Sequence, residues 1–296
     1  MNYELIQQFI DYLDIERHYS KETIKNYHRD ILAFLHFLEE TGEASFVTVT
    51  IRDVKIYVSE LYEKEYSRAT MQRQMSSLRS FYRFLLQQNK VEENPFESVV
   101  IKKREKRLPQ FFYEKEMDAL FSACQGDEPL QQRNLALLEL LYGTGMRVSE
   151  CVNLTLEHIQ CEQRILKVIG KGKKERYIPF NLKAKKAVER YIQEGRQALM
   201  KSEQHPYLFV NAKGHPLTDR GVRYILNQII EKSALDAHIH PHELRHTFAT
   251  HLLNHGADMR TVQELLGHVD LSSTQIYAHV TKESLQRCYR HCHPRA

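Results

Sequence analysis

The sequence predicts a mainly α-helical chain in two domains, with one small antiparallel sheet in the second. Three observations predict it. Apolar residues recur at helical spacing up to Asn94-Pro95. A basic, aperiodic stretch ending in Pro109 then interrupts the pattern. Beyond it helical spacing resumes, broken by two short runs on either side of Gly170-Lys171-Gly172-Lys173-Lys174.

Within the first domain, Leu5, Ile6, Phe9, Ile10 and Leu13 place one apolar face on a helix from Tyr3 to about Arg17. Ser20 has the chemistry of an N-cap for a helix through Tyr27, Ile31, Phe34, Leu35 and Leu38, which Gly42 ends. Thr50 opens another, with Asp53 in its first turn. Ser67 opens a fourth, with Met71, Met75, Leu78, Phe81, Tyr82 and Leu85 inward. The same helix carries Arg68, Arg73, Arg79 and Arg83, read as a basic outer face. The expected boundaries are a helical domain over 1–98, a basic linker over 99–110 and a second domain over 111–296.

In the second domain, helices are expected over about Tyr113–Ala123 and Leu130–Tyr142. Gly143-Thr144-Gly145 then makes a tight turn, which leaves Arg147 at the start of the next helix. Arg164–Ile169 and Glu175–Pro179 read as strands of a hairpin with Lys171 at its tip. Helices follow at about Leu182–Leu199 and Thr218–Lys232. Pro241 suits the first position of a helix that carries His242 and Arg245 and ends at Gly256. Short helices are expected near Met259–Leu266, Ser272–Tyr277 and Lys282–His291.

Composition narrows the class. At 296 residues and 42% hydrophobic content the chain can bury two cores. It has no apolar run near the roughly 20 residues of a membrane span. Met1-Asn2-Tyr3-Glu4-Leu5 lacks a charged leader followed by an apolar block, so a cytoplasmic protein with no membrane contact is expected. The five cysteines have no disulfide rhythm, and one tract, Cys288 to His293, is too short to wrap a tetrahedral metal. Net charge is only +4, but Lys102, Lys103, Arg104, Lys106 and Arg107 crowd one stretch, and Lys171, Lys173, Lys174 and Arg176 another. Either cluster attracts phosphates through counterion release, or is simply solvated surface.

The chemistry-bearing residues point the same way. His242 and Arg245, three apart on a helix, share a face. Guanidinium forks match phosphate oxygens two at a time, and Arg147 supplies a second fork from elsewhere in the chain. Taken alone, Arg147 is a surface ion pair with Glu150 at i+3. Tyr277, one of sixteen tyrosines, follows His268 by nine residues. Its phenol, with an ordinary pKa of about 10, attacks phosphorus only with proton removal and cations nearby. An ammonium at the hairpin tip can donate a proton to a leaving alkoxide, and spacing alone leaves Lys171, Lys173 and Lys174 open.

Five stretches carry a resemblance: Gly143-Thr144-Gly145-Met146-Arg147-Val148-Ser149-Glu150; Gly170-Lys171-Gly172-Lys173-Lys174-Glu175-Arg176; His242-Glu243-Leu244-Arg245-His246-Thr247-Phe248-Ala249-Thr250-His251; Val262-Gln263-Glu264-Leu265-Leu266-Gly267-His268; and His293-Pro294-Arg295-Ala296. Together they resemble the tyrosine recombinase (phage-integrase-like) family over nearly the whole chain. Within it they are most similar to the bacterial XerC/XerD group, with the wording around His240 and Val262 nearer the former.

The resemblance implies a SAM-like core-binding domain ahead of a mostly helical catalytic domain, the two forming a C-shaped clamp on double-stranded DNA. It implies cleavage through a 3′-phosphotyrosyl ester without cofactor or metal. Tyr277 is then the nucleophile, and Arg147 and Arg245 the phosphate clamps. His242 becomes the general base or hydrogen-bond partner, His268 a donor to phosphate, and Lys171, between two glycines, the general acid. It further implies a dif-like site, chromosome-dimer resolution and a tetramer with a sister recombinase. The tail, with Val280, Leu285 and Tyr289, would dock on a neighbouring protomer, and a DNA translocase of the FtsK type would activate the complex.

Three other readings compete. His242-Glu243-Leu244-Arg245-His246 matches a zinc-peptidase pattern, with Glu264 as a third ligand. Arg245 on that helix and the idle Arg147, Lys171, His268 and Tyr277 count against it. A helical DNA-binding regulator without chemistry uses the basic helices but not Tyr277. A type IB topoisomerase shares the chemistry, but the N-terminal module and tail are recombinase-like.

Overall fold

A computed structural model describes residues 2–42, 45–101, 111–170, 175–200, 204–235, 241–267 and 282–295, without the side chains of 282–285. The chain divides into two compact units, Met1–Arg107 and Leu108–Ala296.

The first unit is built from α1 (Asn2–Asp11), α2 (Lys21–Thr41), α3 (Ile51–Glu63) and α4 (Arg68–Gln87). A π-helical turn, Tyr12–Glu16, extends α1. The expected caps are made. The Ser20 hydroxyl accepts from the Thr23 amide, and Ser67 accepts from Thr70. Asp53 reaches back to the Thr50 amide at 2.8 Å, and Gly42 closes α2 with a left-handed φ of 84°. Each cap satisfies an orphan helix-end amide or carbonyl, worth about 1 kcal/mol for the side-chain caps.

Phe9, Phe34, Phe46, Phe81, Tyr82 and Phe96 fill the centre of this unit. Their rings meet at centroid distances of 5.0–5.7 Å where they cross edge to face. The basic face read onto α4 needs correction. Arg73 pairs with the buried Asp30, Arg79 donates to the carbonyls of Phe96 and Val99, and Arg83 pairs with Glu97. Arg79 and Arg83 pin 94–101 onto the bundle, and Arg73 joins α4 to α2. Ile101 is buried there, so the first three residues of the expected 99–110 linker belong to the first unit's packing. The rest of that linker lies outside the described residues.

The second unit holds α5 (Glu114–Ala123), α6 (Pro129–Thr144), α7 (Val148–Val152), then β1 (Ile159–Gln160), β2 (Ile165–Ile169) and β3 (Glu175–Pro179). After these come α8 (Leu182–Arg190), α9 (Arg196–Met200), α10 (Asp219–Ser233), α11 (Pro241–Asn254), α12 (Met259–Leu266) and α13 (Lys282–Cys292). From Ala136 to Met146 every residue is buried, so α6 runs through the centre, packed by α8 and α11. The sheet is antiparallel in the order β1-β2-β3. Strand β1 is too short to be visible as alternation. A π-helical turn, Tyr191–Gly195, joins α8 to α9, where one continuous helix is expected. The expected helix near Ser272–Tyr277 lies outside the described residues.

At the end of the chain, α13 packs against α11, α12 and β3 of its own unit. Tyr289 is 2% exposed and donates to the Gly143 carbonyl at 2.7 Å. His293 stacks on Tyr289 with ring centroids 4.8 Å apart. Arg295 pairs with the buried Glu139 and lies 3.6 Å over the Phe121 ring. Among the described residues no helix is long and apolar enough to cross a membrane.

Candidate active site

Helix α6 ends at Gly145, in the left-handed region at φ 58°. A Cβ there would lie 2.4 Å from the Phe248 ring, so conformation and close packing both require glycine. The turn delivers Arg147 as the N-cap of α7. Glu150, one turn on, closes a capping box: one oxygen accepts from the Arg147 amide at 2.8 Å, the other from its guanidinium at 3.0 Å. The i+3 ion pair read from sequence is therefore real, but its carboxylate is buried, 4% exposed, and serves a second arginine. Arg176 of β3 donates to both Glu150 oxygens at 2.8 Å. Burial pushes the Glu150 carboxyl up. The pairs with Arg176 and Arg147 outweigh that and hold it below its ordinary value.

Pro241 begins α11, as its fixed φ suits. His242 follows, exposed, and Arg245 lies buried one turn along. Arg245 donates to the carbonyls of Gly145 and Leu266, each at 2.6 Å. Arg147 donates to the next carbonyl, Gly267, at 3.4 Å. Two guanidiniums from distant segments thus meet at the C-terminus of α12, whose dipole favours cations. Burial, then the neighbouring Arg147 and Arg176, lower Arg245 to about 10, still fully charged at neutral pH.

Arg147, His242 and Arg245 line one open pocket of about 370 Å³ with Ser149, Asp219 and Arg223. Its floor carries more positive than negative charge, which suits a phosphodiester. The structure thus gathers three of the six predicted residues, from two separated segments. Lys171, His268 and Tyr277 lie outside the described residues. Strand β3 starts four residues after Lys171, and Gly267 immediately precedes His268.

The sequence reading missed the roles of Glu150 and Arg176. Arg176 was grouped with solvated lysines, yet it is only 17% exposed. Alternation could have found it: Arg176 pairs with the buried Val168 and shares a strand face with the buried Ile178. The zinc reading gains nothing from the geometry. Arg245 occupies the helix face it would need, the His246 ring lies by Phe111, and no group of three metal-binding side chains occurs among the described residues.

Comparison with known proteins agrees with this geometry. A model of the phage integrase family matches residues 110–284, and one of its N-terminal SAM-like domain matches 6–89. The chain is 50% identical over 293 residues to "Tyrosine recombinase XerC" of Bacillus subtilis (strain 168), covering 98% of this chain and 96% of that one. It is 52% identical over 295 residues to the protein of the same name in Listeria monocytogenes serotype 4b (strain F2365), covering 99% and 98%. The fold matches the Tn1549 transposon integrase in complex with circular intermediate DNA, with a TM-score of 0.73, 22% identity and 96% and 98% coverage. The chain belongs to the phage integrase family, as a tyrosine recombinase that cuts and rejoins DNA.

Proposed function

We propose that this enzyme recombines DNA at a dif-like site and resolves chromosome dimers during segregation, working in the cytoplasm. The observation that carries the chemical part is the meeting of Arg147 and Arg245 on consecutive carbonyls at the turn leading into His268. A phosphate bound there replaces weak carbonyl partners with charge-assisted, two-point ones. In the five-coordinate transition state its equatorial oxygens gain charge, and prearranged guanidiniums stabilise that state more than the ground state.

In this reading Tyr277 attacks phosphorus, with His242 accepting or sharing its proton. The P–O bond to the 5′ oxygen breaks, and Lys171 protonates the departing alkoxide. His268 donates to a phosphate oxygen. The phosphotyrosyl ester keeps the bond energy, so a 5′-hydroxyl from a partner duplex can reverse the step on a new strand. Two rounds exchange both strands. The 1–98 domain holds the DNA, the basic 99–110 segment follows its backbone, and 111–296 performs the chemistry. The name of its half-identical relatives supports site-specific recombination, and the proposal extends it to a dif-like target, a sister recombinase in a tetramer, tail docking between protomers and a translocase of the FtsK type.

The test uses a dif-like duplex nicked close to the cleavage position, so that the short 5′ fragment diffuses away. Wild-type protein should become covalently joined to DNA on a denaturing gel, and Tyr277→Phe should not. A covalent complex that survives in Tyr277→Phe, or none with wild type, overturns the assignment.

A further inference from the structure

We propose that Arg176 is a positioning residue for strand cleavage, acting through Glu150 and Gly267 to fix the Arg147 guanidinium and the turn that leads into His268. The inference rests on the function proposed above.

Arg176 touches two elements of the site without lining its pocket. Its two η nitrogens grip both oxygens of Glu150, the carboxylate that also receives the amide and guanidinium of Arg147. A two-point pair fixes the carboxylate's plane as well as its position. Its stem lies against Gly267: a Cβ there would sit 2.9 Å from Arg176 Nε and 3.0 Å from Cδ. The Gly267 carbonyl in turn accepts from Arg147. Arg176 also stands at the start of β3, five residues beyond Lys171 in sequence.

The arrangement is costlier than structure alone requires. Arg176 and Arg147 share one buried carboxylate, and among the described residues Arg176 Nε is buried without a hydrogen-bond partner. A single arginine would neutralise Glu150. The second holds that carboxylate still while the first addresses a ligand.

The test measures single-turnover cleavage of the nicked duplex at saturating DNA, with DNA affinity measured separately. Arg176→Gln should slow cleavage by about a hundredfold, the cost of a misplaced group remote from the bond broken. DNA affinity should stay within about threefold, because the lost interaction serves the transition state. The double variant Arg176→Gln/Glu150→Gln should be no slower than the slower single variant, as expected for two residues acting as one unit. Arg176→Lys keeps the charge but not the fork, and should recover only part of the rate. If Arg176→Gln shows no cooperative melt, Arg176→Lys carries the comparison. Wild-type cleavage with either folded variant at the wild-type rate, or single effects that multiply in the double, overturns the inference alone. No wild-type covalent complex removes the proposed function, and this inference with it.

Discussion

Each unit buries a carboxylate beside arginine, and the two sites differ in balance. In the first, Asp30 is 1% exposed, paired with Arg73 and hydrogen-bonded by the Ser77 hydroxyl at 2.8 Å. One anion meets one cation, and a neutral donor completes the shell. In the second, Glu150 receives Arg147 and Arg176 while Arg245 stands near enough to be lowered by both. The first arrangement is closed and joins α2 to α4. The second keeps surplus positive charge on a pocket. Surplus buried charge is expensive, because burial and like-charge repulsion both oppose it. It is tolerated where an anion arrives to complete the set.

The comparison predicts opposite signatures for arginine substitutions. The largest effect on cleavage is expected at Arg245. Arg245→Lys should lower single-turnover DNA cleavage by about 10²–10³-fold, the usual cost of losing a transition-state donor. Its cooperative melt should persist. If cleavage survives and only stability falls, the surplus charge is structural and the contrast fails.

Arg73→Ala should do the reverse. It strands a buried Asp30 carboxylate and should cost about 3–5 kcal/mol in denaturant unfolding of the first unit. Residual cleavage per folded molecule should match wild type when measured below the melting range.

Next comes a buried ionisable group whose charged neighbours oppose its protonation. Burial lowers His293 to about 3, helped by the nearby His251, Arg295 and His255 and opposed by the Tyr142 backbone. The folded protein therefore holds it neutral, while the unfolded chain binds a proton near pH 6.5. Its stabilising contribution is complete above about pH 6.5 and is lost progressively as pH falls toward 3. At pH 5 the loss should be about 2 kcal/mol, at 1.36 kcal/mol per pH unit. Thermal melts from pH 7 to pH 5 should fall more for wild type than for His293→Phe, whose ring keeps the stack on Tyr289. Parallel curves would remove His293 as the source.

The smallest effect tests the neutral partner of the closed site. Ser77→Ala should cost about 1.5 kcal/mol, typical of a hydrogen bond to a charged group. In an Arg73→Ala background the Ser77 effect should change, since both serve one carboxylate. Strict additivity would show that the Asp30 cluster is not a unit.

Much of this was legible beforehand where the signal is local. Ser20, Thr50, Ser67 and Pro241 start helices, and Gly42 and Gly256 follow their ends in left-handed conformations, because caps act over three or four residues. His242 and Arg245 were legible as a pair from their spacing, Arg147 joined them through the resemblance of its motif, and its pair with Glu150 was visible at i+3. The long-range partners of charged side chains were not legible. Arg73 and Arg176 both read as surface cations, and each meets a carboxylate distant in sequence. The tail's apolar spacing was visible, but not that Tyr289 would seat on Gly143 of the same chain.

By itself, then, the sequence determined most helical elements and the two-part division, since propensity, capping and periodicity are short-range, and the resemblance of its motifs named the cationic and nucleophilic candidates. Only the tertiary structure decided which charges neutralise one another and which remain in excess. Coulomb energy depends on distance and burial in space, and a linear order of residues specifies neither until the chain has packed.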